Sequence, residues 1–380
     1  MGTAAVSKVR NKNDTEKTLG GIDLPFLVLV LVVLMMGLVV LFSASYASGL
    51  ADEGDSMFYI KKQFFSALLG IGAMFLASRF DYHFYRKLSW AAAGVSLMLL
   101  VLVFPMGVEA NGAKRWLNLG ITFQPSEIAK IGLILILAHL ITKNYKNMAD
   151  LKVGTLPFLG IIGLFAGLVL LEPHLSGAML MVIIGVVMIF VGGANWKHLL
   201  VCLIIVILLL AVVVSMTSYM TSRINAWIDP WSDPQGEGYQ IIQSLYAIGS
   251  GGLMGLGLGN SQQKYGYLPE AHNDYIFSVA CEELGFIGAA AIILIFALLI
   301  WRGFRIAMKA KDKFGFLVCV GIMTQVGAQT LLNIAVVSNA IPSTGISLPF
   351  FSYGGTSLLL LLFEMGIVLN ISRHSNTEKG

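Results

Sequence analysis

Charge is scarce in this chain. Only 12% of its 380 residues are Asp, Glu, Lys or Arg, whereas 57% are hydrophobic, and the mean hydropathy is +0.79. Soluble domains carry about a quarter charged residues, so this shortage excludes a soluble or disordered protein and leaves a polytopic membrane protein. Cysteine is scarce too. Cys202, Cys281 and Cys319 fall in apolar runs without metal-type spacing, which argues against a disulfide framework or a metal site and leaves small buried hydrophobes. The first apolar run is too long for a cleavable leader and lacks a small-residue cleavage pattern, so it reads as a signal anchor. No Lys-Ser/Thr follows the glycines of 249–259, which argues against a phosphate-binding loop for nucleotides. The net charge of +4 marks cytoplasmic loops in a membrane protein, and nucleic acid is not an expected partner.

What is there are long apolar runs. The expected fold class is all-α, with about ten transmembrane helices near 24–46, 63–78, 88–108, 126–142, 154–171, 176–194, 197–216, 274–301, 314–337 and 349–371. With both termini cytoplasmic, 18 of the 25 Lys and Arg residues lie inside, six lie outside and Lys130 lies within a span. Only that orientation satisfies the positive-inside rule. The expected organisation is a cytoplasmic tail over 1–23, one integral membrane domain over 24–373 and a short cytoplasmic tail over 374–380. A long extracytoplasmic loop, 217–273, joins helices 7 and 8. It carries Trp227, Trp231 and Tyr239, suited to a membrane interface, and an apolar stretch from Tyr239 to Ile248 that predicts a short helix. Its glycines from 249 to 259 serve either flexible turns or a close approach of backbone to a ligand.

Three outer segments hold unusual polar content. The first, KYGYLPEAHNDYIFSVACEELG from Lys264 to Gly285, gathers Glu270, His272 and Asp274 where a helix begins, then carries Glu282 and Glu283 into the span. An acidic group at the centre of a membrane helix costs about 2.5–3.5 kcal/mol and persists only where protein solvates it. The plainer alternatives are a helix start capped by Asn273 or His272, with Asp274 in the first turn, and structural pairing of the two glutamates. The second segment, 111–130, places Lys114, Arg115 and Trp116 before a helix opened by Pro125 and Ser126. There Glu127 and Lys130 share a face, as an ion pair or as part of a polar cavity. Arg115 suits a bidentate phosphate contact and Trp116 a sugar or lipid face, unless both only anchor the interface. The third segment, Ser338 to Ser357, has two prolines and three glycines that predict a re-entrant path, with Ser352 and Tyr353 lining a polar cavity or a packed turn.

GAKRW, FQPSEIAK, YLPEAHNDYIF with EELG, and LPFFSYGGTS, in this order among ten spans, resemble the SEDS family of FtsW, RodA and SpoVE, and the character is closer to FtsW and SpoVE. The resemblance covers residues 24 to 373. One departure stands out: where many members read QPDLGT, this chain reads EPHLSG, with Glu172 and His174.

The resemblance implies a peptidoglycan glycosyltransferase in the bacterial cytoplasmic membrane, with its active face extracytoplasmic, serving cell division or spore cell-wall synthesis. Its substrate would be lipid II, a disaccharide-pentapeptide on a polyprenyl pyrophosphate, and its product an inverted β-1,4 linkage. Asp274 is the expected general base. Lys114, Arg115, Arg223 and Lys264 would steady the departing pyrophosphate, with a divalent cation such as Mg²⁺ or Mn²⁺ and no organic cofactor. Trp116, Glu127, Lys130, Glu270, His272 and Ser352 complete the expected substrate-binding set. The expected partners are a class B penicillin-binding transpeptidase and other division or elongation proteins. A lipid II flippase would carry polar residues through to the cytoplasmic face, and a non-catalytic scaffold for the transpeptidase would not need Asp274.

Overall fold

The computed structural model describes residues 20–110, 113–204 and 218–375. The expected span 197–216 lies mostly outside the described residues, as do most of the N-terminal tail and residues 376–380. The first six helices are α1 (Leu24–Glu53), α2 (Phe58–Arg79), α3 (His83–Met106), α4 (Pro125–Asn144), α5 (Leu156–Leu171) and α6 (Leu175–Val191). Helical residues 196–204 form α7. Then come α8 (Ser218–Ile228), α9 (Tyr239–Ser250), α10 (Ile276–Met308), α11 (Lys313–Val337) and α12 (Gly355–His374). Eight of these are long and apolar enough to cross a membrane, and α6, at 17 residues, is a shorter apolar helix. The chain is not purely helical: β1 (Val108–Ala110), β2 (Ala113–Asn118) and β3 (Thr122–Phe123) form a small antiparallel sheet between α3 and α4.

Local chemistry sets the helix ends. Asp23 caps α1 by accepting from the Phe26 amide at 3.0 Å, Pro25 sits in the first turn, and Gly54 closes the helix with φ 69°. The same Asp23 carboxylate takes two bonds from Arg302, of 2.9 and 2.8 Å, which fastens α1 to the far end of α10. Beside it, Tyr82 and His83 bond to Asp312 at 3.0 and 2.7 Å, and the Tyr82 amide donates to Asn370. One end of the bundle is therefore stapled by polar side chains from several helices. Within it α4, α11 and α12 are the most buried spans, while α2 and α3 present broad apolar faces outward.

The opposite end carries the long loop. Its predicted short helix is α9, which buries Ile241, Ile242 and Ala247; Ser244 bonds to the Val337 carbonyl at 2.6 Å and to Ser278 at 2.7 Å. The glycine run after it is tied down by backbone hydrogen bonds and lies outside the lining of the cavity described below. It packs against α10, which is broken at Gly285 (φ 66°). Leu256 and Gly257 amides donate to the Glu282 and Glu283 carbonyls at 3.0 Å, and Phe286 donates to the Gly252 carbonyl at 2.9 Å. Backbone groups freed by the break are thus satisfied by the loop. A Cβ on Gly255 (φ 79°) would collide with the Glu283 carbonyl, so the contact requires glycine on the loop side.

Two acidic side chains complete this join. The Lys264 ammonium lies 2.8 Å from Glu283, 3.0 Å from Ser43 and 2.7 Å from the Gly259 carbonyl, and is 3% exposed. Glu282 accepts from the Ser261 hydroxyl and from the Gln262 amide. The ion pair is realised for Glu283, whereas Glu282 is held by hydrogen bonds alone. Lys264, expected to contact substrate, is engaged in this join and is not among the residues lining the cavity described next.

Candidate active site

The site-bearing turn begins at Glu270, which holds a left-handed backbone (φ 53°) closed by the Asn273 and Tyr275 amides donating to its carbonyl. Its carboxylate takes a bond from the Asn273 side chain at 2.5 Å. The helix starts only at Ile276, after Tyr275, with no side-chain cap. Asp274 therefore lies in the turn before the helix, not in its first turn, and neither Asn273 nor His272 caps. Asn333 of α11 holds this turn from below, donating to the Asp274 and Ile346 carbonyls at 2.7 Å each.

The third polar segment folds as a buried non-helical path from about Ile341 to Gly354, and α12 begins at Gly355 rather than near 349. Side chains meet its backbone groups, as irregular chain at membrane depth requires. Gln329 donates to the Ser347 carbonyl, Gln63 donates to the Ser352 carbonyl, and the Gln63 side-chain oxygen accepts from Gly354. Ser352 takes a bond from the Leu348 amide and gives one to the Asn273 carbonyl, both 2.7 Å. It stitches two loops together and lies outside the main cavity lining, beside a small adjoining pocket.

Between these pieces lies a cavity of about 950 Å³. Its walls include Arg115 and Trp116 of β2, Glu127 and Lys130 of α4, and Glu270 and Asp274 of the turn. The Lys130 ammonium is 2.8 Å from Glu127, which also accepts from Ser357 at 3.0 Å, so the ion pair forms part of the cavity floor. Lys62 of α2, Gln124, His174, Asn273 and Gln329 join the lining. Phe65 of α2 and Ile121 of the hairpin also line it while remaining 62% and 70% exposed.

Five expected members do not line it. Lys264 is sealed in its ion pair and Ser352 in its stitch. Lys114 of β2 is an exposed residue outside the lining. Arg223 of α8 donates to the Ser343 carbonyl at 3.0 Å and braces the buried path from outside the cavity. His272 is also absent from the lining: its ring packs at a tilt against Tyr59 with centroids 4.4 Å apart, near Tyr353, and burial lowers its pKa.

Electrostatics separate the remaining acids and bases. Burial, then the neighbouring Glu270 charge, pushes the Asp274 carboxyl up to about 6 against the opposing pull of Arg115. Its carboxylate makes no side-chain hydrogen bond among the described residues, which leaves both oxygens for a bound molecule. Glu172 is driven by burial to about 8, with both oxygens buried and unpartnered.

Comparison with known proteins places this geometry. Residues 23–377 match the FtsW/RodA/SpoVE family of cell cycle proteins. The chain belongs to the FtsW/RodA/SpoVE family. It is 42% identical to the stage V sporulation protein E of Bacillus subtilis (strain 168), over 93% of this chain and 97% of that protein. It is 40% identical to a probable peptidoglycan glycosyltransferase FtsW of Trichlorobacter lovleyi, over 92% and 93%. Among solved structures it is similar to a chain studied for the coordination of polymerization and crosslinking by a peptidoglycan synthase complex (TM-score 0.79, 32% identity, covering 94% of this chain and 99% of that one). It is also similar to RodA of Thermus thermophilus (TM-score 0.69, 30% identity, 94% and 98%). The higher identity to SpoVE and FtsW agrees with the character of the motifs. In this FtsW/RodA/SpoVE chain, sequence reasoning missed Lys62, Gln124, Asn273 and Gln329. Gln124 and Asn273 stand inside quoted motifs, one residue from proline or aspartate, while Lys62 and Gln329 carry no local signal because only the packing of α2 and α11 brings them to the cavity.

Proposed function

We propose that this chain polymerises peptidoglycan at the outer face of the bacterial cytoplasmic membrane, transferring the glycan of one lipid II-type donor to the sugar hydroxyl of another. Asp274 carries this reading: a carboxylate with both oxygens unengaged, facing a cavity that also holds cationic side chains. The acceptor hydroxyl oxygen attacks the anomeric carbon, the bond from that carbon to the pyrophosphate oxygen breaks, and the electron pair leaves with the polyprenyl pyrophosphate. The hydroxyl proton passes to Asp274. Attack opposite an α-linked leaving group gives a β-1,4 linkage with inversion. A base with pKa about 6 is largely ionised at neutral pH yet basic enough to accept the developing proton. Arg115, Lys62 and the Lys130–Glu127 pair set the charge around the departing phosphates.

A divalent cation such as Mg²⁺ or Mn²⁺ would arrive on the substrate's phosphates rather than in a protein cage. Among the described residues no group of three or more His, Cys, Asp or Glu side chains could hold one, and Mg²⁺ commonly takes most of its ligands from phosphate and water. A class B penicillin-binding transpeptidase is the proposed partner, supported by similarity to a chain of a complex that couples polymerization to crosslinking.

The test is polymerisation of lipid II by purified protein, alone and with a transpeptidase. Asp274→Asn is expected to lower the rate by about 10²–10⁴-fold, the usual contribution of a positioned base. Normal polymerisation by this variant overturns the base assignment; an inactive wild type in both settings overturns the polymerase reading.

A further inference from the structure

His174 stands at the turn between α5 and α6, with its ring in the cavity wall. Its Nδ1 lies 3.0 Å from the Gln124 side-chain nitrogen and 3.4 Å from the Ser126 hydroxyl. An amide nitrogen only donates, so with Gln124 in this orientation Nδ1 accepts and a neutral ring carries its proton on Nε2. Nε2 has no hydrogen-bond partner among the described residues and is not one of the atoms sealed inside the protein. The imidazole owes its position to a glycine one turn further on: a Cβ at Gly177 would lie 2.6 Å from both Cε1 and Nδ1. EPHLSG departs from QPDLGT at four positions, and two of them, His174 in the place of Asp and Gly177 in the place of Thr, touch one another in space.

We propose that His174 is a neutral hydrogen-bond donor whose Nε2–H holds a phosphate oxygen of the lipid-linked donor beside Arg115, a contact that rests on the glycosyl-transfer reading above. Burial first, and the positive field of Arg115 next, hold the ring pKa down to about 4, with Lys130 acting in the same direction and Glu127 against it. At neutral pH His174 therefore does not compete with Asp274 for the acceptor's proton. It adds directionality without adding charge to a cavity whose floor already carries an ion pair. A donor beside a guanidinium suits an anionic oxygen better than a neutral sugar hydroxyl.

Steady-state kinetics with lipid II, and inhibition by polyprenyl pyrophosphate as the released product, test the contact in full-length protein. His174→Leu is expected to raise both KM and the product's inhibition constant on the order of ten-fold, the usual size of one hydrogen bond to a charged group. Its kcat should change far less, and His174→Gln, which keeps a neutral donor, should recover most of the loss. Gly177→Ala should behave like His174→Leu by displacing the ring. An unchanged KM in His174→Leu, or a raised KM with an unaltered inhibition constant, overturns the phosphate contact while wild-type polymerisation still stands. Should His174→Leu fail to fold, nitrogen NMR of ¹⁵N-histidine-labelled protein, read as a difference from His174→Gln, decides. A neutral ring protonated at Nε2 at pH 7 supports the proposal, and an imidazolium or an Nδ1–H tautomer overturns it.

Discussion

Asp274 and Glu270 share one turn, and their mutual repulsion has a measurable consequence. Burial and the Glu270 charge both raise the Asp274 pKa, so a base-dependent rate should fall as pH drops through about 6 and level off above it. Removing one of the two causes by Glu270→Gln should move that acid limb to lower pH, leaving the burial contribution in place. A pH–rate profile of kcat/KM for the two proteins checks it, and coincident profiles would show that Glu270 does not act on the base. At this scale the sequence was informative where chemistry and motif coincide, as at Asp274, Arg115 and Glu127. It was misleading for cations. Lys114, Arg223 and Lys264 read alike as outer positive charges, yet the first stays exposed outside the cavity lining, a backbone carbonyl engages the second, and Glu283 buries the third.

At the scale of elements, the join between the long loop and the break in α10 decides where the site turn stands. Glu282 and Glu283 were legible as costly groups in a span, but their partners come from residues 19 to 22 positions earlier and from α1, which no local pattern announces. Lys264→Met should leave Glu283 buried beside no cation and cost about 3–5 kcal/mol, as broken buried pairs do. Adding Glu283→Gln should return part of the loss, because the uncompensated charge is gone. Thermal unfolding in detergent measures both. Unaltered stability with a raised KM would instead return Lys264 to substrate binding. Helix existence was read well and helix ends poorly: α12 starts six residues later than expected because the chain from Pro349 to Gly354 is held by Gln63 and by the Ser352 side chain rather than by its own turns.

For the whole molecule, composition gave the class and the basic residues gave an orientation. The small sheet escaped notice because two- to six-residue strands are too short to show alternation. Orientation is testable in intact cells. In a background with Cys202, Cys281 and Cys319 replaced, Tyr267→Cys should react with an impermeant maleimide from outside. Lys311→Cys should react only after lysis, both positions being exposed. The reverse pattern would place the cavity on the cytosol. Phe65 of α2 lines the cavity while standing 62% exposed on the outward apolar face of that span. A headgroup entering there leaves its hydrocarbon chain among the surrounding lipids throughout turnover. Supply then becomes a two-dimensional matter: the rate should track the mole fraction of donor in the leaflet and stay constant when vesicles are diluted in buffer at fixed lipid composition.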